Sequence, residues 1–81
     1  MDLITFHSLT QAQTAQHRLR SENIHTELRK APRSLAMRGC GYALAIRDGE
    51  GSHASELLRM GKLPYSQLVV SFADGNREVA H

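Results

Sequence analysis

The sequence predicts an α+β domain of ferredoxin-like type: a βαββαβ order, a four-stranded antiparallel sheet and two helices on one face. Three observations lead there. Residues 9–19 and 52–60 place apolar or small side chains at three- and four-residue steps, the period of an amphipathic helix. Four short β-prone or alternating runs are arranged around those two segments. The chain has 81 residues, enough for one domain and no more.

Residues 3–6, Leu-Ile-Thr-Phe, are apolar and β-prone and read as the first strand. Ser8 or Thr10 then offers a helix N-cap, and Ser8 to Gln11 has capping-box spacing. Leu9, Ala12, Ala15 and Leu19 share one helical face, while Gln11, Gln13, Gln16, His17 and Arg20 fall elsewhere. Asn23 is the expected stop, because its short polar side chain tolerates positive φ. Residues 24–29 alternate and predict a half-buried second strand. The third strand spans residues 42–47, with Tyr42, Leu44 and Ile46 on one face and Ala43 and Ala45 on the other.

Asp48-Gly49-Glu50-Gly51 is a turn cluster. The second helix follows from Ser52 to about Met60, with Ala54, Leu57 and Leu58 inward. Gly61 sits where a C′ glycine ends a helix, and Pro64 prevents resumption. Residues 68–72 form the last strand. The domain is thus expected over residues 1–72, with 73–81 a polar, frayed tail. Right-handed crossovers put the first and third strands at the centre. The sheet face away from the helices then carries Thr5, Ala43, Ala45, Val69 and Ser71, a small and partly apolar surface suited to a homodimer partner.

Composition narrows the function. The net charge is only +2, and Arg18, Arg20, Arg29, Lys30, Arg33 and Arg38 never form a continuous basic run. The aromatics are Phe6, Tyr42, Tyr65 and Phe72, so the interleaved cations and stacking rings of a nucleic-acid binder are missing. The N-terminal residues lack the positive start and apolar stretch of a signal peptide. No apolar run approaches the ~20 residues needed to span a bilayer. The expected location is the cytoplasm, with no membrane partner.

The connection between the second and third strands is longer than the fold requires. A hairpin takes about two to five residues, whereas this chain runs from Ala31 through Pro32-Arg33-Ser34-Leu35-Ala36-Met37-Arg38-Gly39-Cys40 to Gly41. Extra chain in a minimal domain adds entropy loss without enlarging the core, and such segments tend to carry function. Cys40 is the one cysteine, so no intramolecular disulfide forms. A free cysteine is most often a small buried hydrophobe. Here Gly39 and Gly41 remove neighbouring side chains, and Arg33 and Arg38 favour the thiolate, the nucleophilic form. In the expected layout the start of the third strand adjoins helix C-termini, so any lowering of the thiol pKa falls to the arginines or to loop amides.

Other chemistry has little support. His7, His17, His25, His53 and His81 show no spacing that singles out a base. One cysteine and scattered histidines match no zinc pattern, so no metal is expected. Gly39-Cys40-Gly41 and Gly49-Glu50-Gly51 lack the phosphate-loop signature, and no cofactor is expected.

Residues 3–6, the following helix with its small residues, then Pro32-Arg33 and Cys40-Gly41 before an apolar strand resemble the selenium/sulfur carrier protein-like family of small bacterial domains. The resemblance spans about residues 3–72, and the Pro-Arg and Cys-Gly pairs are its most specific part. It implies that Cys40 accepts sulfur or selenium as a persulfide or selenenyl sulfide, with Pro32 and Arg33 shaping the loop. It implies donor and acceptor proteins as partners, no cofactor, and a stoichiometric carrier rather than an enzyme. The alternative is a non-catalytic interaction or small-ligand-sensing module, homodimeric through the open sheet face; fold alone does not choose between them.

Overall fold

The computed structural model describes residues 1–31, 41–71 and 77–79. Its elements are β1 (Asp2–Phe6), α1 (Leu9–Ser21), β2 (Thr26–Lys30), β3 (Tyr42–Ile46), α2 (Gly51–Met60), β4 (Gln67–Ser71) and β5 (Arg77–Val79). The sheet order is β2-β3-β1-β4-β5, and every pairing is antiparallel. The expected four-strand arrangement is therefore present, with β1 and β3 central. Where residues 73–81 were expected to form a frayed tail, 77–79 instead extend the sheet as a fifth strand, Val79 opposite Val69.

Alternation builds the main core. Ile4 and Phe6 from β1, Leu44 and Ile46 from β3 and Leu68 from β4 face the helices. Ala12, Ala15 and Leu19 of α1 and Ala54 and Leu58 of α2 pack down on them. The alanines let the helix axes approach the sheet closely, while the branched side chains fill the gaps between them.

Each helix end has an identifiable device. Ser8 caps α1, its Oγ accepting the Gln11 amide hydrogen at 3.1 Å. Asn23 takes the left-handed conformation at φ 62, and Ile24 N–H donates to Leu19 O at 2.9 Å, closing a Schellman motif. At the end of α2 the expectation was a left-handed Gly61. Gly61 instead has φ −83, and Lys62 takes φ 57. Leu63 N–H reaches Leu58 O at 2.8 Å, so the left-handed position falls one residue later than composition suggested. Because Lys62 carries a Cβ in that conformation, Lys62→Gly should stabilise the fold by roughly 0.5–1 kcal/mol in urea denaturation.

The start of α2 is held from a distance. Its N-cap residue, Glu50, makes no side-chain capping bond. Instead Asp2 of β1, only 2% exposed, accepts the amide hydrogens of Gly49 at 3.2 Å and Gly51 at 2.9 Å through Oδ2. A carboxylate on the first amides of a helix is favourable both as an acceptor and against the helix dipole. A Cβ at position 51 would lie 2.6 Å from that oxygen, so glycine is needed there for space.

The second sheet face differs from expectation. Leu3, Thr5, Ala43, Ala45 and Val69 sit there as a separate cluster or beside it, and none is more than 6% exposed. An open surface awaiting a homodimer partner would leave such side chains wet. These five side chains are buried within the chain, while Glu27 and Arg29, opposite Ala45 and Ala43 on the edge strand β2, are exposed.

Candidate functional site

The register fixes which segments share an end of the molecule. Phe6 pairs with Tyr42, Lys30 pairs with Tyr42, and Thr5 pairs with Gln67. The exit of β1, the exit of β2, the entrance of β3 and the entrance of β4 therefore lie at one end of the sheet. Ala31 N–H donates to Gly41 O at 3.1 Å and continues the β2–β3 ladder by one rung. The connection of residues 32–40 thus leaves and returns at a single hydrogen-bonded pair.

Cys40, Gly39, Pro32, Arg33 and Arg38, all singled out by the sequence, lie outside the described residues. Gly41 is described. A Cβ built on it would meet no atom of the described residues within 4 Å, its chain neighbours aside. Gly41 is accordingly not required by crowding, nor does it have a positive φ.

Two further segments arrive at this end. β1 ends at Phe6, and exposed His7 follows directly before the Ser8 cap of α1. The last turn of α2 and the Gly61–Ser66 connection also reach it, because β4 begins at Gln67 opposite Thr5. Helix C-termini alone were expected beside the start of β3. Strand direction corrects that: α2 ends here, but α1 begins here, so the positive end of one helix dipole lies at the same end as Gly41. His7 was likewise not distinguished in the sequence. Its signal was positional, since the residue after β1 must lie near the residue before β3 when those strands are antiparallel neighbours.

The seam between β1 and β4 is tied at the same end. Ser66 N–H donates to Thr5 O at 2.7 Å, and Gln67 N–H to Thr5 Oγ1 at 3.1 Å. Gln67 Oε1 is buried and meets no hydrogen-bond partner among the described residues. Arg59, Leu63, Pro64, Tyr65 and Ser66 line a shallow cleft of about 460 Å³ here.

The opposite end has a larger cleft of about 610 Å³, with His25, Glu27, Asp48 and Glu50 in its wall. The amino group of Met1 pairs with Asp48. The Arg29 guanidinium, hydrogen-bonded to Glu27 at 3.1 Å, holds that carboxyl below the usual carboxylate range. Among the described residues, no three His, Cys, Asp or Glu side chains gather as a metal site. None of the helices there is long and apolar enough to cross a membrane.

A family model described as "Putative Se/S carrier protein-like" matches residues 2–70, most of the chain. No curated protein matches, and no solved structure does.

Proposed function

We propose, from the premise that this chain belongs to the Se/S carrier protein-like family, that it carries sulfur or selenium on Cys40. The family match over residues 2–70 carries this reading, because that span contains the chain's one cysteine. The start of α1 at the same end as Gly41 supports it.

The chemistry is an exchange. The Cys40 thiolate attacks the outer chalcogen of a donor persulfide or selenenyl sulfide. The bond between that atom and the donor sulfur breaks, and the donor leaves as a thiolate. An acceptor thiolate then attacks the outer atom on Cys40 in the same way and regenerates the free thiolate. No electron acceptor is consumed in either step. Arg33, Arg38 and the first-turn amides of α1 favour the ionised sulfur. Pro32 and Gly39 shape the connection. The partners are the donor and acceptor proteins, the place is the cytoplasm, and the chain turns over no substrate of its own.

Intact-mass spectrometry after exposure to a persulfide-generating system tests the reading. The expected result is a gain of one chalcogen atom, removed by dithiothreitol and absent from Cys40→Ser. On this reading that variant should keep its urea midpoint to within about 0.5 kcal/mol. Alkylation of Cys40 should titrate below the free-thiol value of ~8.5. A thiol that alkylates readily yet never gains mass would overturn the carrier role.

A further inference from the structure

Carboxylates on this molecule are sorted by end, whereas cations occur at both. At the end holding Gly41, the described side chains include Arg29 and Lys30 from β2, Arg59 from the last turn of α2 and Lys62 beyond it. No aspartate or glutamate occurs in residues 5–11, 28–31, 41–43 or 57–67, the stretches that build this end. The connection 32–40 adds Arg33 and Arg38 by sequence and again no carboxylate. The acids collect at the other end: Asp2, Glu22, Glu27, Asp48 and Glu50. Among residues 1–71, only Glu56, midway along α2, belongs to neither.

Local pairing does not quench the basic end. Among the described residues the ion pairs are Met1 with Asp48, Arg18 with Glu22 and Arg29 with Glu27. Lys30, Arg59 and Lys62 are exposed and belong to none of these. Apolar surface is exposed beside them. Met60 is 71% exposed and Leu9, in the first turn of α1, is 39% exposed. Arg59 also lines the 460 Å³ cleft with Leu63, Pro64 and Tyr65. An exposed methionine flanked in sequence by exposed Arg59 and near exposed Lys62, beside the residues lining a cleft that includes Tyr65, has the composition of an interface centre with a charged rim.

We propose that this end is a docking face for a partner protein that presents an acidic rim around an apolar side chain. The apolar centre seats against Met60 and the Leu63–Pro64–Tyr65 cleft, and the carboxylates meet Arg59 and Lys62. Charge complementarity selects the occupant. A second copy of the chain offers the same positive end and is repelled in a like-to-like pairing. A nucleic-acid backbone would match the charge but would leave the methionine and leucine without a counterpart. The proposal goes beyond the carrier reading and does not depend on transfer at Cys40.

The test uses the full chain, ¹⁵N-labelled, titrated with a short peptide of glutamates flanking a leucine-rich centre. Its lysine-for-glutamate twin and a single-stranded oligothymidylate serve as comparison probes. The glutamate peptide should shift the amides of Leu9, Arg59, Met60, Lys62 and Leu63, weaken with added salt, and bind about tenfold less tightly to the R59E/K62E double variant. The lysine peptide and the oligonucleotide should shift none of these. Absence of binding by the glutamate peptide overturns the docking face. So do shifts confined to the acidic end, indifference to the double variant, or oligonucleotide binding at the same residues. Both substitutions are on the surface, and an unchanged spectrum elsewhere verifies the fold. Persulfide loading of Cys40 in the same variant reads the carrier role separately.

Discussion

Asp2→Ala should lose about 3 kcal/mol of stability, the largest effect expected from a polar residue in this chain. The carboxylate is almost fully buried and accepts two backbone N–H groups, from Gly49 and Gly51. A hydrogen bond to a charged group contributes about 1.5–3 kcal/mol, and a buried donor left without a partner costs about 1–3 kcal/mol. Glu50 makes no side-chain capping bond to take over. A chain of 81 residues has roughly 4–12 kcal/mol in total. The loss is therefore a large share, visible as a lower urea midpoint with an unchanged m-value. Asp2→Asn retains one acceptor oxygen and should fall between the two. Gly51→Ala attacks the same contact from the other side, since its Cβ would overlap Oδ2 at 2.6 Å. Removing the clash with D2A/G51A should recover part of that loss, a non-additivity expected only of residues in contact. A midpoint for Asp2→Ala within about 0.5 kcal/mol of the parent would remove the long-range cap from the account.

Ala43→Glu should cost about 3–5 kcal/mol, because it places a charge where the parent residue is 0% exposed. Ala43 lies opposite Thr5, also 0% exposed, within the second-face cluster of Leu3, Ala45 and Val69, and the one cation across from it, exposed Arg29 on β2, is already paired with Glu27. On a solvent-facing sheet the same substitution would be nearly neutral, within about 0.5 kcal/mol. The measurement therefore separates an interior face from an open one. Parent and variant should both run as monomers in light scattering. A folded Ala43→Glu with the parent's urea midpoint would return this face to the surface.

Much of the fold was legible because its determinants are local. Leu9, Ala12, Ala15 and Leu19 lie on one helical stripe, and three of them, Ala12, Ala15 and Leu19, are fully buried. Tyr42, Leu44 and Ile46 alternate with Ala43 and Ala45, and the two sets face opposite sides. Ser8 and Asn23 act within one turn of their own position. What escaped depends on chain partners far away. Asp2 lies outside every local pattern, and its partners are 47 and 49 positions on. The placement of α1's first turn beside Gly41 follows from strand direction, which periodicity does not encode. Polarity concealed β5: Arg77 and Glu78 gave no apolar pattern, although the preceding Asp74-Gly75 step is a recognised hairpin signal. Of the candidate site, only Gly41 among the residues singled out is described. The family match supports the reading of Cys40 through kinship, while His7 and the basic end came from topology.

The single rung between Ala31 and Gly41 separates two evolutionary pressures. Because both ends of the connection are anchored to the ladder, its length is nearly decoupled from the register of β2 and β3. Lengthening a nine-residue span by four costs roughly 0.3 kcal/mol in closure entropy. Insertions or deletions between residues 31 and 41 can therefore be absorbed while β2 and β3 keep the same alignment.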